Sequence, residues 1–303
     1  MEIGLISGLL AAFLMALAFA FSSYAVRNFK KAGSLGILLR ANIIIALISV
    51  FGLLLTYKTA LGTQWRVYLP VTLGGALCNL VGQAAIFLAQ KRVDSSRLVP
   101  LLGLKLIFLA IINGLLLQSE VYGTWQYIAI ACTIFSAFFL NNAGTKIPIV
   151  PFLLMMITCI SYSVADTFLR TQTLQIKALG YNNICLAAVV GTFVFFLFLG
   201  LISAILLPFL PRDTWAAWKG AIPFSLCWLT SIVLILICFA ELGTVAGNIV
   251  QSLRGIFAIL IGGLLAMLGY HKMEQKITAV IFYKRLFAGF LMVIAIYLFT
   301  LGK

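Results

Sequence analysis

Apolar runs of about 20 residues that carry almost no charge dominate this chain. A helix needs about 20 apolar residues to cross a hydrocarbon core of roughly 30 Å. Of the 303 residues, 63% are hydrophobic and 9% are charged, which leaves only short connections between ten such runs. The runs are too long and alternate too little for barrel strands, which need about 10 residues each. The sequence therefore predicts an all-α membrane protein with ten transmembrane helices and no soluble catalytic domain.

Windows of about 19 residues locate the predicted spans. They are Gly4–Val26, Ser34–Thr56, Val67–Gln90, Leu98–Gln118, Thr124–Leu140, Ile149–Leu169, Asn182–Leu207, Ala221–Ala240, Gly247–Leu268 and Leu286–Leu301. The tenth span is predicted to begin only after Arg285, because two adjacent cations, Lys284 and Arg285, are costly in mid-span. The first span follows Glu2 and not a basic segment, and it is longer than the apolar core of a signal peptide. It is therefore predicted to be a transmembrane helix and not a secretory signal.

The formal net charge of +14 arises from 21 Lys and Arg against 7 Asp and Glu. In a soluble protein this excess would indicate nucleic acid. Here most of the cations lie in short connections, where they set orientation and meet anionic lipid, so no nucleic-acid partner is expected. Thirteen Lys and Arg follow odd-numbered spans and five lie on the opposite side. The positive-inside rule therefore predicts that both termini face outside.

Metal and disulfide chemistry is not signalled. None of the six cysteines forms a pair at CxxC spacing, and the single histidine, His271, lies in a predicted connection. Zinc sites and disulfide frameworks need clusters of such residues. The sequence therefore predicts no metal site and no cofactor.

An internal repeat appears when the chain is shifted on itself by 149 residues. The shift lays Leu98–Leu116 on Gly247–Leu265 with seven identities in 19 positions, and it pairs Lys105 with Arg254. Cations are rare inside spans, so this last pairing carries the most weight. Each repeat holds five predicted spans, an odd number, so the second copy enters the membrane from the opposite face. The predicted domains are residues 1–145 and 146–303, as two inverted repeats.

Four sequence features resemble the EamA-like drug/metabolite transporter superfamily, most closely its ten-helix members. They are Leu38–Asn42 with its arginine, Leu98–Leu102 at the start of the fourth span, the acidic turn Ser119–Glu120, and Gln251–Gly255. The family turn usually reads Gly-Glu, whereas Ser119 stands here. The resemblance implies a multi-pass protein of a bacterial plasma (inner) membrane. It also implies that both termini lie in the cytoplasm, against the charge count, and the two orientations stay open.

Lys105 and Arg254 are the predicted centre of the site. Each lies about eight residues inside its span, or roughly 12 Å deep at 1.5 Å per residue. A cation facing a water-filled cavity in mid-membrane is a functional candidate by default. Carboxylate partners are nearly absent from the spans, so we expect an anionic group of the substrate to neutralise the pair. The alternative is that each side chain snorkels to its nearest interface.

Amides and one carboxylate complete the candidate residues. Substrate contacts are predicted for Asn79, Gln83, Asn248, Gln251, Arg40 and Tyr24, with structural hydrogen bonding between helices as the alternative for the amides. Asp166 is the only carboxylate inside a predicted span and is the candidate for proton coupling. The alternative for Asp166 is an ion pair with Arg170, four residues on at the predicted helix end.

The predicted function is secondary transport of a small polar metabolite, anionic or zwitterionic, by alternating access around a midplane site. The rival within transport is efflux of lipophilic cations or drugs, coupled to protons through Asp166. An enzyme is not expected, because one connection histidine and one deep carboxylate do not form a catalytic cluster. The expected partners are a small-molecule substrate and the lipid bilayer, and a homodimer stays open.

Overall fold

The computed structural model of the protein describes residues 2–118, 122–142, 147–211, 215–268 and 279–301. Ten long helices account for most of them. They are α1 (Glu2–Asn28), α2 (Gly33–Thr56), α3 (Trp65–Gln90), α4 (95–116), α5 (Thr124–Asn142), α6 (Ile149–Ala178), α7 (Ile184–Leu206), α8 (Trp215–Leu242), α9 (244–267) and α10 (Ala279–Leu301). Short helical turns at Thr59–Thr63 and Leu207–Phe209 flank α3 and α7.

The all-α membrane class is confirmed within the described residues, which contain helices and no strand. Eight of the helices, α1 to α4 and α6 to α9, are long and apolar enough to cross a membrane. The acidic turn at Ser119–Glu120 and the single histidine His271 lie outside the described part of the chain, as do the connection cations Lys146, Arg212, Lys272 and Lys276.

Two of the predicted helix boundaries differ most from the structure and are wrong. The last helix begins at Ala279 and not after Arg285, so Lys284 and Arg285 lie within it. The sixth helix continues nine residues beyond Leu169, to Ala178. Both differences have the same cause, since an α-helix satisfies its own backbone and continues past the apolar stretch into the interface. Lys284 is exposed, which agrees with a cation that reaches toward the interface from a helix.

Helices α4 and α9 are interrupted, and each interruption ends at a cation. In α4 a 3₁₀ segment, Val99–Leu104, precedes the α-helical segment Lys105–Ala110, and a π-helical segment follows. In α9 the first segment ends at Ser252, and Arg254 begins the second after a break at Leu253. Changes of helical type are frequently found at functional sites in helical proteins.

Long-range packing joins the first half of the chain to the second. Helix α1 packs along α8, α3 along α6, α2 along α7, and α5 along α10. The interrupted helices cross tightly, because a Cβ added at Gly255 of α9 would lie 3.3 Å from the Cα of Pro100 in α4. Small residues let membrane helices approach in this way. The breaks of α4 and α9 are therefore held next to each other in the middle of the bundle.

Candidate functional site

Side chains from six helices line a small central cavity. The lining residues are Met15, Asn79, Lys105, Tyr162, Asp166, Leu169, Trp228, Ile232, Ile235, Gln251 and Arg254. Met15, Asn79 and Ile232 lie near the middle of α1, α3 and α8, so the cavity lies at about half the height of the spans. Its wall joins an apolar side, formed largely by α8, to a polar side formed by α4, α6 and α9.

Lys105 is held at this depth by two hydrogen bonds. Its Nζ donates to Asp166 Oδ2 at 2.7 Å and to Gln251 Oε1 at 2.8 Å. Only 2% of Lys105 is exposed. Because the ammonium is bound to groups in the middle of the bundle, the structure contradicts the snorkelling alternative for this residue.

Asp166 pairs with Lys105 and not with Arg170. Its Oδ2 also accepts a hydrogen bond from Asn248 Nδ2 at 2.9 Å. The expected i,i+4 ion pair is therefore wrong, because Asp166 bonds to residues of α4 and α9, and the helix end expected near Arg170 lies at Ala178. The expectation that a group of the substrate must neutralise both deep cations is wrong for Lys105. Asp166 supplies the counter-charge for Lys105 from a neighbouring helix.

Arg254 has no carboxylate within ion-pair distance among the described residues. It is 2% exposed, and its Nη1 lies 3.7 Å from the sulfur of Met15, which is its hydrogen-bonding partner in this part of the chain. Its Nε lacks a partner there. The cavity wall thus carries two cations and one carboxylate, a formal charge of +1. A buried charge without a partner is costly, so the site is suited to an anionic group.

Several other polar atoms of the lining are uncommitted. Tyr162 Oη, Trp228 Nε1 and Asn79 Oδ1 have no hydrogen-bond partner among the described residues, although all three side chains are buried. Leaving a buried polar group unsatisfied costs about 1 to 3 kcal/mol. The hydroxyl and the indole can donate, and the amide oxygen can accept. The cavity therefore offers hydrogen bonds of both kinds to a polar ligand.

The structure brings together only some of the residues predicted from sequence. Lys105, Arg254, Gln251, Asn79 and Asp166 line the cavity, whereas Asn248 contributes through its bond to Asp166. Three predicted residues, Gln83, Arg40 and Tyr24, do not line it. Their positions are distinct: Gln83 is buried on α3, Arg40 donates to the Gly36 carbonyl at 2.9 Å and lies 5.8 Å from the Trp218 ring centre, and Tyr24 is 39% exposed.

Sequence reasoning missed the apolar and aromatic part of the wall. Met15, Tyr162 and Trp228 are buried residues of long apolar spans, and nothing in their spacing separates them from ordinary packing residues. Trp228 offered one signal, because it lies midway along its span, whereas tryptophans of membrane proteins are enriched at the interfaces.

Comparison with known proteins supports the transporter class. Residues 2–142 match the model of the EamA-like transporter family. No curated protein matches the sequence. One solved structure, titled "Crystal structure of protein", is 15% identical with a TM-score of 0.64, and the alignment covers 99% of this chain and 96% of that one. That likeness shows a shared fold alone. Residues 2–142 are therefore similar to the EamA-like transporter family, which agrees with the resemblance to the drug/metabolite transporter superfamily, and the chain is an integral multi-pass membrane protein.

Proposed function

We propose that this protein is a secondary transporter for a small polar metabolite with an anionic group, bound at Lys105 and Arg254. The observation that carries the proposal is the buried Arg254, whose partner among the described residues is a thioether. An organic acid, an amino acid or a phosphorylated metabolite would supply the missing anion. Arg254 would form a bidentate pair with a carboxylate or phosphate, as a planar guanidinium favours.

We also propose that the ten helices form two inverted five-helix repeats, residues 1–145 and 146–303, which rock about the cavity. The shift of 149 residues carries Ser95 onto Thr244, where the interrupted helices begin. It also carries Lys105 onto Arg254, the first residues after the interruptions. Discontinuous helices at the interface of inverted repeats are a common design of transporter sites.

The packing of the helices supports the same symmetry. Exchanging the halves turns the α1–α8 pair into the α6–α3 pair, and it leaves the α2–α7 and α5–α10 pairs unchanged. The same exchange maps the neighbouring residues Pro100 and Gly255 onto Ile249 and Leu106, which lie in one apolar cluster. A pseudo-two-fold axis between α4 and α9 accounts for these relations, and alternating access would exchange the two halves' conformations about it.

Binding and flux can be measured on the same purified protein. Succinate, inorganic phosphate and leucine serve as anionic and zwitterionic probes, with tetraphenylphosphonium as the cationic one. We expect at least one of the first three to raise the melting temperature and to be transported in proteoliposomes. Arg254→Gln should abolish both effects, whereas Arg40→Gln, which changes a buried arginine outside the cavity, should keep them. Normal binding and flux by Arg254→Gln would exclude the anion site.

Efflux of lipophilic cations is the second candidate, because Asp166 lines the cavity. Protonation of Asp166 would release Lys105, which would couple the carboxylate to a proton gradient. The formal charge of +1 on the wall argues against a cationic substrate, since like charges in a low-dielectric site repel strongly. This candidate would be favoured if a pH gradient drove the accumulation of tetraphenylphosphonium. Among conservative variants, Asp166→Asn alone should then lose that accumulation.

A further inference from the structure

Two strong donors of the cavity wall converge on one weak acceptor, the sulfur of Met15. Gln251 Nε2 lies 3.0 Å from Met15 Sδ, and Arg254 Nη1 lies 3.7 Å from the same atom. Met15 is 1% exposed, so solvent does not take the place of a better partner there. A thioether sulfur is a weak hydrogen-bond acceptor. The donors and the acceptor are therefore badly matched.

The mismatch falls on a group that needs a strong partner. Arg254 is buried, and no described carboxylate lies within ion-pair distance of it. Hydrogen bonds between a guanidinium and an anionic oxygen are short, about 2.7 to 2.9 Å, and roughly twice as strong as neutral ones. The point where Gln251 and Arg254 converge is thus the place in the cavity best suited to an anionic oxygen, and the Met15 sulfur stands at that point.

Met15 is also a side chain that can give way. Methionine is unbranched and has three rotatable bonds, so its sulfur can leave by side-chain rotation alone. A residue that served only to fill the core would not require two buried donors to point at it. In this structure those donors have no alternative acceptor, apart from the cavity itself, among the described residues.

We propose that the Met15 thioether occupies an anion subsite of the cavity and is displaced from it by a carboxylate or phosphate oxygen of the substrate. This inference rests on the proposed function, since it names the atom that the substrate anion replaces. Met15 then holds Gln251 and Arg254 in place until the substrate arrives, and it sets the affinity for the anion.

A ligand-free experiment tests the convergence. Met15→Glu puts a carboxylate of nearly the same length at the subsite, so it should pair with Arg254 and raise the melting temperature by about 3 °C or more. The matched control is Met155→Glu, at another methionine with 1% exposure that does not line the cavity; it should lower the melting temperature sharply. Met15→Gln, neutral and of the same length, should give a smaller change than Met15→Glu.

A double variant identifies the partner. In the Arg254→Met background the gain from Met15→Glu should vanish and become a loss, because the new carboxylate would be buried without a cation. If Met15→Glu lowers the melting temperature as much as Met155→Glu does, the subsite proposal is overturned. Failure of the proposed function is a separate result: Met15→Glu would still stabilise the protein, while Arg254→Gln would transport anions normally.

Discussion

The ammonium of Lys105 on α4 lies 2.7 Å from the carboxylate of Asp166 on α6, although the two residues are 61 positions apart in the sequence. This buried pair ties α4 to α6 beside the cavity. It also distinguishes the two deep cations, because among the described residues Lys105 forms an ion pair with a carboxylate and Arg254 does not. Removing one member of the pair would therefore leave a buried charge without its ion-pair partner, whereas removing Arg254 would not.

Lys105→Met should destabilise the protein by about 3 to 5 kcal/mol, because it leaves the buried Asp166 with the Asn248 amide as its remaining hydrogen-bond partner among the described residues. The double variant Lys105→Met with Asp166→Asn should recover most of this loss, since no buried charge is then left uncompensated. Thermal unfolding in detergent of the two single variants and the double variant gives the coupling. Additive effects of the two changes would show that the pair is not energetically linked.

Arg254→Met should leave the melting temperature unchanged or raise it, because it removes a buried cation that has no counter-charge among the described residues. Arg254→Lys should keep the charge but weaken probe binding by roughly tenfold, since the planar fork is lost. Substrate-dependent shifts in melting temperature, with succinate and phosphate as probes, measure the second effect. Equal binding by the lysine variant and the wild type would argue against a bidentate contact.

Two glycines of α7 provide a matched pair, because Gly200 lies against α2 at close range and Gly191 lies against α6 at an ordinary distance. A Cβ at Gly200 would collide with the Cβ of Ala46 and lie 3.1 Å from the Asn42 carbonyl oxygen. At Gly191 it would meet Thr173 Oγ1 at an ordinary 3.5 Å. Gly200→Ala should therefore cost about 1 to 3 kcal/mol, whereas Gly191→Ala should be neutral or stabilising by up to about 1 kcal/mol. Thermal unfolding of the two variants measures the difference, and equal effects would contradict the close approach of α2 at Gly200.

Orientation in the membrane is predicted by the thirteen-to-five distribution of Lys and Arg, which places both termini outside. A reporter that is active only outside the cytoplasm should therefore be active when fused to the C-terminus and silent in the connection that holds Lys30. The reverse pattern would establish the orientation implied by the family resemblance. A cytoplasmic reporter at the same two positions serves as the control and should give the opposite readings.

The spans could be predicted from sequence because a bilayer requires helices of a fixed apolar length, whatever their packing. Lys105 and Arg254 could be selected as deep residues for the same reason. Their partners could not, because the contact of Lys105 with Asp166 depends on how α4 and α6 pack. A local rule favoured Arg170 instead, and it assumed a helix end that the structure places at Ala178.

The interruptions of α4 and α9 could not be predicted for a related reason. A 3₁₀ segment and a break at Leu253 leave hydropathy unchanged, so the apolar pattern looks continuous. The role of Met15 was equally hidden, because a methionine in an apolar run has the same pattern whether it fills space or accepts hydrogen bonds. Tertiary packing decides whether a methionine fills space or accepts hydrogen bonds, and the residues around it in the sequence do not indicate which.

Trp228 gives the transporter an optical reporter at the place where the substrate is proposed to bind. The other four tryptophans, Trp65, Trp125, Trp215 and Trp218, lie in the first turns of their helices, away from the cavity. Trp228 is buried in the cavity wall, and its indole Nε1 has no hydrogen-bond partner among the described residues. Indole emission responds to a new hydrogen bond and to a nearby charge, so occupancy of the cavity is expected to change the fluorescence of the unlabelled protein. The same residue that completes the apolar wall thus allows binding to be followed in real time without a radioactive substrate.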